Sequence, residues 1–354
     1  MEKFFLSLIR LGIGNAEKAP IPEQIDWNQL EDIATSQGLS AILVDGIEKL
    51  PEGQRPPKPV LLQWIGETLQ AYEYRYELYR RTIAEMAAFY NDHDYRMMLL
   101  KGYACSMNWP KPEHRPCGDI DIWQFGQQKG ADAVLAKEKG IEIDKSHHHH
   151  TVFYWGDIMV ENHYDFINVY QHKSHVKMEK IFKELGQDDS HFVELYGEKV
   201  YLPSPNLHAL FLIKHLMLHF VSSEMSFRQL LDWAFFVEKH GKDVDWDWVD
   251  NVLGQFGMIR MYNIINAICV EDLGFDASIF SQVQFEPVLK DKALEDILSA
   301  TGVWEEPKGF LHRLIWRYRR WKGRSWKHKL CFQESMWSSF WSGVWAHILK
   351  PGTI

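Results

Sequence analysis

The spacing of hydrophobic positions changes its period twice along the chain. Between Trp64 and Tyr90, apolar and aromatic residues recur at Ile65, Leu69, Tyr72, Tyr76, Tyr79, Ile83, Met86 and Tyr90. Steps of three and four line one face of a helix. The opening segment Met1–Arg10 reads as another amphipathic helix. Its apolar run stops at Arg10 with no small-residue cleavage site after it, so it does not read as a signal peptide. Pro51 to Pro59, with four prolines and a glycine, must be a loop.

The texture then shifts to shorter units. Met97–Leu100 is a brief apolar run that predicts a buried strand ending at Lys101-Gly102, and Gly118–Trp123 alternates with period two, a second strand. Gln127 to Gly140 suits a helix closed by glycine. His148–Trp155 and Ile158–Phe166 flank Gly156-Asp157, a hairpin signal. From about residue 171 the helical period returns. Ser204-Pro205 opens a helix through Leu218, Ser226 opens another through Phe235, and further helices are expected over Trp246–Val252, Met258–Glu271 and Gly309–Trp345. The expected fold is therefore α+β in three regions: N-terminal helices over 1–92, a small α/β core with a mixed sheet over 93–170, and a larger helical lobe over 171–354.

Composition narrows the class. The chain has 354 residues, more than one hydrophobic core usually serves, and 46% are hydrophobic against 25% charged. That balance excludes a disordered chain, a collagen-like repeat and a disulfide scaffold. The net charge of −9 argues against general nucleic-acid binding but leaves room for a local basic patch. Cys105, Cys117, Cys269 and Cys331 are scattered with no CxxC pair, which predicts no disulfide partner, no cysteine zinc site and a reducing, cytoplasmic setting. The longest apolar stretch, Leu207–Val221, carries Lys214 and three histidines and is too short to span a bilayer, so no transmembrane segment is expected.

The chemistry-bearing residues sit in the α/β core. On a strand, Asp119 and Asp121 share a face about 6–7 Å apart while Ile120 and Ile122 turn to the core. Two such carboxylates repel unless a cation or proton intervenes, and hard oxygen ligands suit Mg²⁺. The plainer reading is an exposed pair on a solvated strand. Upstream, Lys101-Gly102 turns into what reads as a helix start, where backbone N–H groups bind anions. Downstream, Glu161, His163 and Asp165 share a face of the second hairpin strand, and Glu161 would supply a third carboxylate.

This series resembles the nucleotidyltransferase superfamily, the DNA polymerase β-like fold. Lys101-Gly102, Arg115, Asp119-Ile-Asp121 and Glu161-x-His163, followed by Lys214-His215-x-x-x-His219 and Arg228-x-x-x-Asp232-Trp233, resemble a group of bacterial proteins known as uncharacterised nucleotidyltransferases. The resemblance implies two-metal transfer of a nucleoside monophosphate from an NTP to a hydroxyl of an acceptor: a sugar, another small molecule, a protein or RNA. It implies Asp119, Asp121 and Glu161 as ligands for Mg²⁺ or Mn²⁺, Gly102 cradling the β- and γ-phosphates, and Lys101 and Arg115 neutralising them. His163 would orient the acceptor, touch a phosphate or carry a proton, or else position Glu161. The superfamily places Gly-Ser or Gly-Gly at the turn, whereas Tyr103 follows Gly102 here.

Other features admit two readings each. In His147–His150, strand alternation sends His147 and His149 one way and His148 and His150 the other, so either a single member of the His149/His150 pair enters the cleft or the run is a polar strand face. His215 and His219 stand at zinc-chelating spacing without the accompanying glutamate, and packing against the catalytic unit is the favoured alternative. Arg228 and Asp232 pair with each other or reach the cleft. His312–Lys329 holds eight Lys/Arg and no acid, with Trp316, Trp321 and Trp326 interleaved. It reads as a terminal helix packed by its tryptophans, or as an RNA- or membrane-binding surface. Two alternatives to catalysis follow: a degenerate nucleotide-binding protein, and an adaptor working through this tail.

Overall fold

A computed structural model describes residues 1–339 and 341, apart from 171, 285, 300–306 and 308. Helices dominate. The chain begins with α1 (Glu2–Ile13), α2 (Trp27–Gln37), α3 (Ser40–Glu48) and α4 (Lys58–Thr68). A π-helical turn at Leu69–Glu73 joins α4 to α5 (Tyr74–Asp92). The mixed part comprises β1 (Met98–Leu99), α6 (Tyr103–Ser106), β2 (Ile120–Trp123), α7 (Gln128–Lys139), β3 (His150–Trp155), β4 (Ile158–His163), α8 (Lys173–Leu185), β5 (Phe192–Leu195) and β6 (Glu198–Tyr201). Helices α9 (Pro205–Ser222), α10 (Phe227–His240), α11 (Trp246–Gln255), α12 (Ile259–Glu271), α13 (Pro287–Leu298), α14 (Phe310–Gly323) and α15 (Ser325–Cys331) complete the described elements.

The fold is α+β, as the periodicity predicts. One six-stranded sheet runs β3-β4-β2-β1-β6-β5; β2–β4 and β1–β6 are parallel, and the other three pairs are antiparallel. Two strands, β5 and β6, come from beyond residue 171, where the sequence reads as helical. They form a hairpin of four-residue strands, and β6 docks on β1 through Tyr201. Strands this short carry too few alternating positions to register as a period. The hairpin at Gly156-Asp157 forms as expected. Its second strand ends at His163 rather than Phe166, because Tyr164 and Asp165 both donate their backbone N–H to His149 O at 3.0 Å. The terminal stretch read as one helix is interrupted between α14 and α15 and again after Cys331. Trp345 lies outside the described residues.

Register decides which side chains meet. Asp121 is level with Glu161 on β4, and His163 on β4 is level with His150 on β3. Asp121, Glu161, His163 and His150 therefore project from one face. Ile120, Ile122, Val160 and Phe153 project from the other and bury against Ile83, Met86 and Tyr90 of α5 and Leu135 of α7. The first face looks toward a second core, shared by α1–α4 with α9–α12. Within it α1 and α3 touch backbone to backbone: a Cβ on Gly46 would lie 2.2 Å from Leu8 O, and one on Gly12 would lie 2.4 Å from Ile42 O. Asp45 on α3 then grips the loop before β2, with Lys111 Nζ at 2.5 Å and His114 Nδ1 at 2.7 Å. The Tyr79 hydroxyl donates to Gly118 O at 2.9 Å. The loop that delivers Asp119 is thus held from two cores at once.

Candidate active site

Asp121 is the centre of the constellation. It is fully buried on β2, and its Oδ1 faces Lys101 Nζ at 2.5 Å and His163 Nε2 at 3.0 Å. Its Oδ2 is also buried and has no hydrogen-bond partner. A buried anionic oxygen left without a partner costs free energy, a cost that a cation beside it would offset. Burial opposes ionisation of Asp121, but Lys101 and His163 outweigh it and hold the carboxyl well below the usual range. Asp119, just before the strand, is pushed the other way: the charge on Asp121, then burial, raises it.

The ligand atoms of Asp121, Glu161 and His163 lie within 4.8 Å of one another. Asp119 does not join that cluster; it stands across Lys101, whose Nζ is 4.0 Å from its Oδ2. Lys101, expected at the phosphates, sits instead between the two aspartates. Burial would discharge it, yet Asp121, Asp119 and Glu161 together raise its pKa. His163 behaves alike: burial lowers it, but its bonds to Asp121 and Glu161 lift it to about 9. Lys101 and His163 thus sit directly among the three carboxylates, with Arg228 acting on Asp119 from across the cavity.

Gly102 has φ 62° and ψ −109°, a backbone conformation suited to glycine, and an added Cβ would approach Asp119 O at 3.4 Å. The helix that starts after it, α6, is a single turn. Its backbone is engaged internally, with Gly102 O accepting from Cys105 and Ser106. Gly102, Lys101, Asp119 and Asp121 line a cavity of about 330 Å³ whose opposite wall is α9 and α10, through His215, His219 and Arg228.

Arg115 also borders that cavity, but its guanidinium is committed. It forms a two-pronged pair with Asp232 on α10, Nε to Oδ1 at 2.9 Å and Nη2 to Oδ2 at 2.8 Å, and Nη1 donates to Pro116 O. Trp109 Nε1 adds a third donor to Asp232 at 2.9 Å. Asp232 therefore pairs with Arg115, not with Arg228 four residues before it. Arg228 keeps a buried Nε with no hydrogen-bond partner, and its Nη1 has only a long contact to Pro116 O at 3.5 Å. Among the described residues it is the arginine lining this cavity that has donors to spare. The sequence offered this as one of two options; the partner of Asp232, 117 positions away at Arg115, left no local signal.

A second cavity of about 740 Å³ shares Lys101, Asp119, His215 and His219 with the first and extends past Glu161 and His163. His149 and His150 both line it. Strand alternation predicted that only one would, but β3 begins at His150 and residues 147–149 form a bend, so consecutive rings turn to the same side. Burial keeps both neutral, pushing His149 down to about 2 and His150 to about 4. Asp165, beyond the strand, pairs with Lys183 and leaves the Glu161 face. The basic tail contributes to the far wall through Trp321, Arg324 and Phe332. Lys327 turns inward to Asp296 and Ser223. Arg324, which donates to Ser222 O, and Lys327 thus serve the body of the protein.

Comparison with known families bears on this geometry directly. A family model described as uncharacterised nucleotidyltransferase matches residues 23–273. The chain belongs to this family. The match runs from α2 to the end of α12 and spans the whole sheet together with both walls of the smaller cavity. No curated protein and no solved structure matches the chain. Among the described residues no helix is long and apolar enough to cross a membrane.

Proposed function

We propose that this nucleotidyltransferase moves an NMP group from an NTP to a hydroxyl of an acceptor held in the larger cavity. The observation that carries the reading is the buried, partnerless Oδ2 of Asp121, which opens beside Glu161 and next to a cavity of triphosphate size. The residues fit a divalent cation: Asp119, Asp121 and Glu161 would hold Mg²⁺ or Mn²⁺, with His163 at the edge of the set. When bound, such an ion neutralises phosphate charge and makes an acceptor hydroxyl easier to deprotonate.

The protein's own groups divide the remaining work. Gly102 leaves room for phosphate oxygens at the turn. Arg228 would take the triphosphate through its free donors, while Arg115 fixes α10, and with it Arg228, against the loop before β2. Lys101 balances the two aspartates before substrate arrives and would turn to the phosphates once another cation takes its place. His163, charged at neutral pH and buried against Asp121, holds that carboxylate in register with Glu161. The apolar and aromatic lining of the larger cavity, with Phe211, Trp321 and Phe332, would pack an acceptor. A bacterial, cytoplasmic setting belongs to the same proposal and agrees with four buried free thiols.

One observation favours a second reading. Lys101 already supplies a cation between Asp119 and Asp121, the arrangement expected of a nucleotide-binding relative that no longer transfers. Incubation with each labelled NTP, Mg²⁺ or Mn²⁺ and a cell extract separates the two. Pyrophosphate release and labelling of an acceptor, both lost in Asp119→Ala/Asp121→Ala, establish transfer. Nucleotide binding without pyrophosphate release under any condition establishes the second reading.

A further inference from the structure

Histidines crowd one side of the site more than nucleotidyl transfer requires. The ring centres of His149, His150 and His163 lie 4.4, 5.3 and 5.5 Å apart in the three pairings, and their ligand atoms are all within 4.8 Å of one another. Glu161 borders the group: Oε1 is 3.7 Å from His150 Nε2 and Oε2 is 3.5 Å from His163 Nε2. With metal–nitrogen bonds of about 2.0–2.1 Å, ring centres in a tetrahedral shell stand about 5 Å apart and neighbouring ligand atoms about 3.3 Å. The ring-centre spacings match that shell.

Two further observations point to a missing partner. The Nδ1 atoms of His149 and His150 are buried with no hydrogen-bond partner, although His150 is only 6% exposed. The scaffold is also rigid. His150 and His163 are a direct cross-strand pair, and the carbonyl of His149 is pinned by the N–H groups of Tyr164 and Asp165. Three imidazoles suit a borderline transition-metal ion, not Mg²⁺, which prefers an octahedron of oxygens.

We propose that His149, His150 and His163 supply three ligands of a tetrahedral site for a transition-metal dication of the Zn²⁺ class, beside the aspartate pair, with His163 giving up its proton and its bond to Asp121 as the ion enters. The site shares His163 with the transfer centre, yet its occupancy does not depend on transfer taking place. The test uses the full chain, stripped with chelator and titrated with Co²⁺ and Zn²⁺ in the presence of excess Mg²⁺. One equivalent of Co²⁺ giving the intense visible bands of a tetrahedral ion, displaced by Zn²⁺ and not by Mg²⁺, is expected. His149→Ala and His150→Ala should each weaken binding by at least about tenfold. His150→Asn, which keeps the polar volume, should do the same, while His191→Ala, elsewhere on the surface, should not. Circular dichroism of the variants shows that the fold survives. A weak octahedral spectrum, displacement by Mg²⁺, or unchanged affinity in folded His149→Ala and His150→Ala would overturn the assignment. Pyrophosphate release is scored separately, so its absence would strike the transfer reading alone.

Discussion

The Arg115–Asp232 pair offers the sharpest test of how the site is assembled. Both side chains are only 6% exposed, and the pair joins the loop that leads to Asp119 to the helix that carries Arg228. An exposed ion pair is worth about 0–1 kcal/mol, but removing one partner of a buried pair strands a charge and costs about 3–5 kcal/mol. Asp232→Ala strands the Arg115 guanidinium and leaves the Trp109 indole N–H without its acceptor, so the upper part of that range is expected. Arg115→Met strands Asp232 and should cost about as much. The double variant Arg115→Met/Asp232→Leu replaces both charges with apolar groups and should be more stable than either single variant. Chemical denaturation of the full chain, followed by tryptophan fluorescence and circular dichroism with coincident transitions, measures all four corners of the cycle. Costs of the two single changes that simply add in the double, or single costs below about 1 kcal/mol, would refute the reasoning. NTP affinity in the folded double variant gives a second readout: a loss of severalfold fits a positioning role for Arg115, whereas complete loss would make it the phosphate ligand.

Three further outcomes follow from the same geometry. Arg228→Met should raise the KM for NTP about 10- to 100-fold, the equivalent of one or two lost charge-assisted hydrogen bonds, with kcat changed much less; an unchanged KM removes Arg228 from the phosphate site. The raised pKa of His163 makes a stability contribution that is fully present below pH 6.5 and lost as pH rises through about 9. The metal-free thermal midpoint should therefore fall across that window, and the slope should flatten in His163→Gln; identical slopes would show that another group titrates. Gly102→Ala forces a side chain into a glycine conformation at a cost of about 1–3 kcal/mol, and both the melting temperature and NTP affinity should drop. A variant with wild-type affinity would mean that the turn does not meet the nucleotide.

The sequence by itself determined those features that repeat over a few residues. The long helix ending in α5, the alternation that sends Ile120 and Ile122 to one face and Asp121 to the other, the Gly156-Asp157 turn and the capping box at Ser226 and Gln229 are all local, set by side-chain period and backbone preference. The placing of Glu161 and His163 on one strand face was also legible from alternation, whereas the β2–β4 register brought Asp121, but not Asp119, into their cluster.

Tertiary structure alone decided who neutralises whom. Lys101 lies between the aspartates, Arg115 lies against Asp232, and Asp45 holds Lys111 and His114. Charges separated by tens to more than a hundred positions choose partners through burial and distance, quantities that no linear pattern records. The same holds for His149 and His150. A bend one residue before β3 turns both rings into one cavity, and only the folded backbone shows that the strand has not yet begun.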